Sequence, residues 1–258
     1  MINTKAFNWP FRRKAVLIHL SSTGLLAIIV ATVVFVLWFP GAYRSMSGGT
    51  ELFVLVASVD FTIGPLITFV IADSRKTWKQ LVRDIAVIVV LQLVALSYGL
   101  NMVSISRPVM LALEEDRFRV VAAHDVYVQE LPLAKPEFRS LSLTGPRLAY
   151  SAVPTDPKEK SDALSLGMRG YDVGTRPSLW QPWDDKVRAQ ALAHAKPLAA
   201  LMRRYPKGQA EFAAAIDKTG RPADKLVYIP TITFRDDWVT LLDATSGDVV
   251  GFAPFDGF

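Results

Sequence analysis

Three long apolar runs dominate the N-terminal part of the chain, and shorter alternating runs follow them. The apolar runs cover residues 15–39, 51–72 and 85–105. Each is about 20 residues long or longer, which is the length that an α-helix needs to cross the hydrocarbon core of a bilayer. The pattern predicts a membrane unit of three transmembrane helices at residues 15–106, preceded by a short tail at residues 1–14.

Residues 107–258 show the mixed pattern of a small water-exposed domain. Two apolar runs, Val109–Leu113 and Phe118–Ala122, flank a charged turn and predict a β-hairpin. The other predicted elements are a strand at 148–153, a polar loop at 154–161, helices at 184–205 and 209–217 with Pro197 breaking or kinking the first, and strands at 226–234, 239–243 and 249–252. This order predicts an α+β domain with an antiparallel sheet.

Lysine and arginine residues near the span ends predict the orientation of the protein, because such residues accumulate in cytoplasmic loops. The tail and the loop between the second and third spans are rich in them, whereas the loop between the first two spans has only Arg44. The residues are Lys5, Arg12, Arg13 and Lys14 in the tail, and Arg75, Lys76, Lys79 and Arg83 in the second loop. We therefore expect a cytoplasmic N-terminus and, in a Gram-negative cell, a periplasmic C-terminal domain.

Composition agrees with a membrane protein and excludes several function classes. Hydrophobic residues make up 51% of the 258 residues, and the mean hydropathy is +0.26, which soluble proteins of this size rarely reach. The chain has no cysteine, so disulfides, thiolate catalysis and cysteine zinc sites are excluded. The net charge is +5, but many of the basic residues flank the spans and none form a stripe with interleaved aromatics. Nucleic acid is therefore not predicted as a partner.

Two polar side chains, Asp60 and Gln92, lie near the middle of the second and third spans. A carboxylate in hydrocarbon costs at least about 2.5 kcal/mol on insertion scales, so Asp60 needs a partner. One hypothesis is an internal hydrogen bond that fastens these spans as an antiparallel hairpin, from Asp60 to Gln92 or instead to Tyr98, Ser58 or Thr62. A second is that Asp60 receives a polar or cationic group from the membrane helix of a partner protein. Proton or ion translocation is a third and weaker alternative, because one acid across three helices makes a poor pathway.

Other unusual residues in the spans are expected to act in packing. Gly64 and Pro65 predict a kink in the second span, because proline removes one helical hydrogen bond and crowds the preceding turn. His19, one turn inside the first span, is expected to be an interfacial polar group. The small residues at 21–24 allow another helix to approach closely.

The outer domain lacks the motifs of known catalytic and cofactor sites. It has no G-x-S-x-G, G-x-x-x-x-G-K or G-x-G-x-x-G sequence. His124 and His194 lack the spacing of a metal motif. The adjacent acids at 184–185 and 236–237 predict a helix N-terminus and a turn. No enzymatic activity, cofactor or metal ion is predicted.

Four stretches of the first half form a more specific combination. They are LIHLSSTGLLAIIVATVVFVLWFPGAY from Leu17, VDFTIGPLITFVI from Val59, RDIAVIVVLQLVALSYGL from Arg83 and RPVMLALEEDRFRVVAAHDV from Arg107. The more specific parts are Asp60 with Gly64-Pro65, Arg83-Asp84 and Arg107-Pro108. This combination resembles the TfpX/TfpZ-type family of type IV pilin accessory proteins.

The resemblance implies a multi-pass inner-membrane helper in type IV pilus biogenesis, with the major pilin, the lipid bilayer and other inner-membrane pilus-assembly proteins as partners. It implies a role in pilin stability, assembly or pilus dynamics, and it brings no catalytic site. Two rival hypotheses stay open. A membrane-anchored periplasmic enzyme with an unrecognised site requires a deep polar pocket. A ligand-sensing membrane module requires a cytoplasmic output, for which the tail and the second loop are too short.

Overall fold

The computed structural model describes residues 8–235 and 237–258 of the chain. Residues 1–7 of the predicted tail and Asp236 of the predicted turn lie outside this described part.

The chain divides into two compact units. The first comprises the residues up to Val36 together with Gly49–Ser104, and the second comprises Leu37–Gly48 together with Ile105–Phe258.

Helices form the first unit, and helices and strands alternate in the second. The helices are α1 (Trp9–Thr32), α2 (Tyr43–Met46), α3 (Gly49–Ile71), α4 (Trp78–Ile105), α5 (Pro157–Gly167), α6 (Asp185–His194), α7 (Leu198–Arg204) and α8 (Gln209–Thr219). The strands are β1 (Pro108–Glu114), β2 (Arg117–Ala122), β3 (Arg147–Ser151), β4 (Trp180–Gln181), β5 (Lys196–Pro197), β6 (Leu226–Ile232), β7 (Trp238–Asp243) and β8 (Val249–Ala253). A π-helical segment, Val33–Trp38, continues α1, and short 3₁₀ turns lie at Val128–Leu133, Pro136–Phe138, Val173–Thr175, Pro177–Leu179 and Ala223–Lys225.

Three helices of the first unit are long and apolar enough to cross a membrane. With its π-helical continuation, α1 has 30 residues, and α3 and α4 have 23 and 28. The shortest reaches about 35 Å at 1.5 Å per residue, which exceeds the roughly 30 Å of a hydrocarbon core. The prediction of three helices of membrane length is therefore confirmed. α1 begins before the apolar run because the Asn8 side chain caps it, accepting a hydrogen bond from the Phe11 N–H at 3.2 Å.

Aromatic and cationic contacts fasten α1 against α3 near both ends. Phe35 meets Phe53 edge-on with ring centroids 5.0 Å apart, and Trp9 meets Phe69 in the same way at 5.4 Å. The Arg12 guanidinium donates hydrogen bonds to the carbonyls of Phe69, at 2.5 Å, and Val70, at 3.0 Å. A cation at the C-terminal turn of α3 satisfies carbonyls that have no helical partner.

Glycines bring α4 close to α3. A Cβ on Gly99 would lie 2.9 Å from the Val56 side chain, and the Gln92 side chain lies directly over Gly64. α3 therefore contacts both of its neighbours, and its helical hydrogen bonding continues on both sides of Pro65. The predicted kink at Pro65 stays a prediction.

The second unit is built on an eight-stranded sheet with the order β4-β3-β1-β2-β6-β7-β8, and β5 pairs with β6. Neighbouring strands are antiparallel except for two parallel pairs, β1 with β3 and β2 with β6. The expectation of an antiparallel sheet is thus wrong, because the sheet is mixed. Each parallel pair joins strands separated by a long connection, which parallel pairing requires.

Helices cover both faces of this sheet. Successive strand residues point to opposite faces, so Leu241 packs with α7 and α8 while Leu242 packs with α6. A third cluster joins β1, β2 and β3 to Phe138 and the fully buried Trp180. The domain has an α+β arrangement in which the sheet is buried from both sides.

The segment between the first two long helices belongs to this second unit. Phe39 and Met46 are fully buried in it. Tyr43 packs edge-on against Phe252 of β8, with ring centroids 5.2 Å apart, and burial raises the pKa of its phenol. The domain is therefore held by chain segments on both sides of α3.

Most predicted elements of the second unit are confirmed. The predicted break of the 184–205 helix at Pro197 is among them, since α6 ends at His194 and is followed by the short β5 and then by α7. The predicted loop at 154–161 is wrong from Pro157 onward, because α5 begins there. The Asp156 side chain accepts the N–H groups of Lys158, at 2.9 Å, and Glu159, at 3.3 Å, and Pro157 occupies the first turn.

The buried carboxylate of Glu114 allows a test of how much its hydrogen bonds stabilise the domain. It accepts hydrogen bonds from Arg119 Nε at 2.7 Å, Arg117 Nε at 3.0 Å and the Gly174 N–H at 3.0 Å. We expect Glu114→Gln to lower the free energy of unfolding by about 1–3 kcal/mol, because a buried network loses charge-assisted bonds. Thermal unfolding of the detergent-solubilised protein, followed by circular dichroism, measures the effect. The neighbouring exposed Glu115→Gln is the control, and equal unfolding temperatures for both variants would contradict this account.

Candidate functional site

A cavity of about 550 Å³ lies among the three long helices of the first unit. Its lining residues are Phe11, Lys14, Ala15, Ile18, His19, Ser22, Thr23 and Leu26 of α1, Asp60 and Thr68 of α3, and Trp78, Leu81, Ile85, Ile88, Val89, Gln92, Leu93 and Leu96 of α4. The residues of α1 and α4 recur every three or four positions, so each helix contributes one face. From Trp78 to Leu96 the cavity follows α4 for roughly 27 Å. We call it the interhelical groove.

A histidine joins the three helices at the floor of the interhelical groove. The two ring nitrogens of His19 contact Thr68 Oγ1 at 3.0 Å and Gln92 Nε2 at 3.1 Å. An amide nitrogen only donates hydrogen bonds, so His19 Nε2 accepts from Gln92 and the protonated Nδ1 donates to Thr68. The neutral imidazole thus satisfies one polar group from each neighbouring helix.

Asp60 lies beside this histidine and lines the same groove. Its carboxyl and the His19 imidazole interact electrostatically. Within residues 8–235 and 237–258, no hydrogen bond reaches the Asp60 carboxyl. Lys14 and His19 are the other titratable side chains among the residues that line the groove. The described residues therefore leave the hydrogen-bonding capacity of the Asp60 carboxyl unused.

Gly64 makes room for the polar contacts. Asp60, Gly64 and Thr68 are spaced by four residues and share one face of α3. The buried Gly64 lies under the side-chain nitrogens of both Gln92 and His19. A side chain at this position would displace at least one of them. Pro65 follows it and is also buried.

The structure places the other candidate residues of the spans outside this cluster. Tyr98 is largely exposed on α4, and Thr62 is exposed on α3. The Ser58 hydroxyl donates to the Leu55 carbonyl of its own helix at 2.8 Å. Gln92 contacts His19, and in the described part of the chain it makes no hydrogen bond to Asp60. Of the predicted set, the structure brings together Asp60, Gly64 and Gln92.

Sequence reasoning missed the central position of His19 and the role of Thr68. His19 was expected at the interface, but it joins all three helices. A signal was present in the spacing of Asp60, Gly64 and Thr68 on α3, and in that of His19, Ser22 and Thr23 on α1. Each set marks one helix face that carries polar or small residues in an otherwise apolar span.

Buried charges of the second unit serve to fasten loops. Glu130 accepts hydrogen bonds from Arg176, at 2.7 and 3.0 Å, and from the Ser178 hydroxyl at 2.5 Å. These bonds join two 3₁₀ turns. Among the described residues, no group of three or more His, Cys, Asp or Glu side chains is placed to hold a metal ion.

Comparison with known proteins gives matches over most of the chain. A family described as "Fimbrial assembly protein FimB" matches residues 7–48. The "Fimbrial assembly protein, serogroup I" of Dichelobacter nodosus is 29% identical over 228 residues, which cover 88% of each chain. The serogroup E1 protein of the same organism matches with the same identity and coverage.

A shorter relative is more similar. The "Fimbrial assembly protein, serogroups C1 and C2" of Dichelobacter nodosus is 32% identical over 117 residues, which cover 45% of this chain and 89% of that protein. No solved structure matches the chain.

The packing at Gly64 can be tested with a matched pair of glycine variants. A Cβ on Gly64 meets Gln92 and His19, whereas a Cβ on Gly24, in α1, meets nothing within 4 Å. We expect Gly64→Ala to destabilise the three-helix unit by about 1–3 kcal/mol through overpacking. Gly24→Ala is expected to be neutral or slightly stabilising, because alanine favours helix. Unfolding of both proteins in mixed detergent micelles measures the difference, and a stability of Gly64→Ala at or above that of Gly24→Ala would refute the packing.

Proposed function

Because this chain belongs to the family of fimbrial assembly proteins, we propose that it is a non-enzymatic inner-membrane accessory protein for type IV pilus biogenesis, of the TfpX/TfpZ type. Its role in pilus biogenesis follows from the family, and its three apolar helices make it a membrane-associated protein. Its specific task is to assist the major pilin before or during assembly, through pilin stability, assembly or pilus dynamics.

The proposed orientation has the N-terminus and the α3–α4 loop in the cytoplasm, and the second unit in the periplasm. Basic side chains at the proposed cytoplasmic ends of the helices support it. Arg75 binds Asp73 at 2.5 Å, and Lys76 binds Asp84 at 2.7 Å. The Arg75 hydrogen bonds hold the pKa of Asp73 well below its usual range, so this carboxylate stays charged at neutral pH. Fixed charges of both signs keep this loop in water.

The proposed partner is the membrane helix of the major pilin, and the proposed binding site is the interhelical groove. The observation that carries this proposal is a long, mostly apolar groove in which the Asp60 carboxyl accepts no hydrogen bond from the described residues. A transmembrane helix matches its length, since roughly 27 Å corresponds to about 18 residues of helix. Ser22 and Thr23 on α1 allow such a helix to approach closely.

Asp60 gives this binding its specificity. A carboxyl near mid-depth of the membrane is favourable only when a polar or cationic group faces it, because hydrocarbon offers no other partner. An apolar helix of another protein leaves Asp60 unpaired and therefore gains less binding free energy. A helix with a polar group at the matching depth binds more tightly, which distinguishes the partner from other membrane helices.

The absence of catalytic motifs in the sequence supports a non-enzymatic role. The buried carboxylates Glu114 and Glu130 are already held by arginine side chains. Binding of a pilin helix requires no catalytic residues, since recognition in the membrane rests on packing and hydrogen bonding.

The test is an Asp60→Asn variant expressed in the native host at the level of the unmodified protein. We expect pilin co-purification and surface piliation to fall several-fold, because the amide carries no charge to attract a cationic group. The control is Thr62→Ala, an exposed polar residue of the same helix outside the groove. Pilin co-purification is measured from detergent extracts, and piliation by shearing and electron microscopy.

Unchanged co-purification and piliation in Asp60→Asn would remove Asp60 from the binding site. Equal losses in Asp60→Asn and Thr62→Ala would instead indicate general damage to the spans. Recovery of a sensor kinase in place of pilin would contradict the proposed function itself.

A further inference from the structure

Two loops of the second unit lie next to the residues at which the chain enters or leaves the long helices. Pro40 follows the π-helical segment, Gly48 directly precedes α3, and Arg107 follows α4 by two residues. All three belong to the second unit. Covalent connection to the membrane-length helices therefore places these residues close to the bilayer surface, whatever the tilt of the domain.

The first of these loops contains Leu143. Arg107 Nε donates a hydrogen bond to the Ser142 carbonyl at 3.0 Å, which holds this loop beside Arg107. On its other side, Gly145 packs against the Pro40 ring, to which a Cβ at Gly145 would come within 2.7 Å. Leu143 lies between these two contacts and is 64% exposed.

The second loop is the β6–β7 turn, which contains Phe234 and Arg235. The Arg235 side chain lies against Gly48, with its Nε 3.1 Å from the position of a Cβ there. Its guanidinium also lies 5.8 Å from the centre of the Phe234 ring. Phe234 is 75% exposed. A large aromatic side chain is thus held in the open, one residue from the contact that Arg235 makes with Gly48.

The strand directions place both loops at the same end of the sheet. β1 leaves this end at Pro108, and β3 runs parallel to it, so the residues before Arg147 lie at this end. β2 returns toward it, and β6 runs parallel to β2, so the residues after Ile232 also lie there. Two independent loops therefore present large apolar side chains at the end where the helices connect.

We propose that Leu143 and Phe234 insert into the interfacial region of the bilayer and that phospholipid is the occupant that covers them. Aromatic and aliphatic side chains are stabilised at the boundary between headgroups and acyl chains, where exposed apolar surface leaves water. Arg235 reaches the phosphate layer beside Phe234, as long basic side chains do at interfaces. The inference concerns the outer domain and does not depend on the pilin partner.

The charge around the turn defines the lipid class. In the sequence, Arg235 is followed by Asp236 and Asp237, so one positive and two negative charges leave the turn with no excess positive charge to require anionic lipid. Insertion is therefore driven by apolar contact, and zwitterionic phospholipid is sufficient. Two insertion points in separate loops would hold the domain at a fixed tilt above the membrane.

The chain is well suited to a test, because it has no cysteine and any introduced cysteine is the single labelling site. Leu143→Cys and Phe234→Cys are labelled with an environment-sensitive fluorophore and reconstituted in phosphatidylcholine vesicles. The control is Met168→Cys, which is 78% exposed in the same unit. Met168 directly follows α5 and lies near Asp172. Arg119 binds both Asp172 and Glu114, and the Gly174 N–H also binds Glu114. Because Glu114 ends β1 about 20 Å from Pro108, Met168 lies toward the opposite end of the sheet.

Phosphatidylcholine with a nitroxide on its headgroup is expected to quench the labels at positions 143 and 234 about threefold more strongly than the label at 168. Iodide in the aqueous phase is expected to show the opposite order. Quenching at 143 and 234 equal to that at 168, by both agents, would overturn the proposal. Protection from iodide only in native membranes, and not in pure lipid vesicles, would also overturn it, because a protein would then cover these residues.

Discussion

Hydrocarbon offers no hydrogen-bonding solvent, and this one constraint shapes the membrane half of the protein. A polar side chain within the bilayer must bond to a carbonyl of its own helix, as Ser58 does, find a partner on another helix, or face a group that enters from outside. His19, Thr68 and Gln92 satisfy one another, with contacts of 3.0 and 3.1 Å that join three helices at a single point. Gly64 is the residue that permits this meeting, because any side chain there would occupy the same space.

The same constraint makes Asp60 the exception that needs explanation. It shares a helix face with Gly64 and Thr68, yet the described residues offer its carboxyl no hydrogen bond. The interhelical groove beside it has polar groups on its floor and apolar side chains along both walls. A groove of this kind is suited to another helix, and the pilin membrane helix is the occupant that we propose. On that proposal the spans serve as a binding surface as well as an anchor.

Local sequence pattern was sufficient for the elements whose cause is local. The apolar runs predicted the three long helices, and the charged turn at residues 114–117 predicted the β1–β2 hairpin. The mixed sheet was not predictable in this way, because β3 and β6 pair in parallel with strands far away in sequence. α5 was missed although Asp156 and Pro157 form a recognisable helix start. In the site, Asp60, Gly64 and Gln92 were predicted individually, but their convergence on His19 depends on helix rotation, which residue type alone does not specify.

Crosslinking from inside the interhelical groove tests most directly whether the groove receives the pilin membrane helix, as we propose. A photoreactive amino acid is placed at Leu93, which lines the groove, or at its exposed neighbour Val94, which is not among the lining residues. Irradiation of native membranes is expected to join pilin to position 93 and not to position 94. Pilin captured equally from both positions, or captured from neither, would contradict the account.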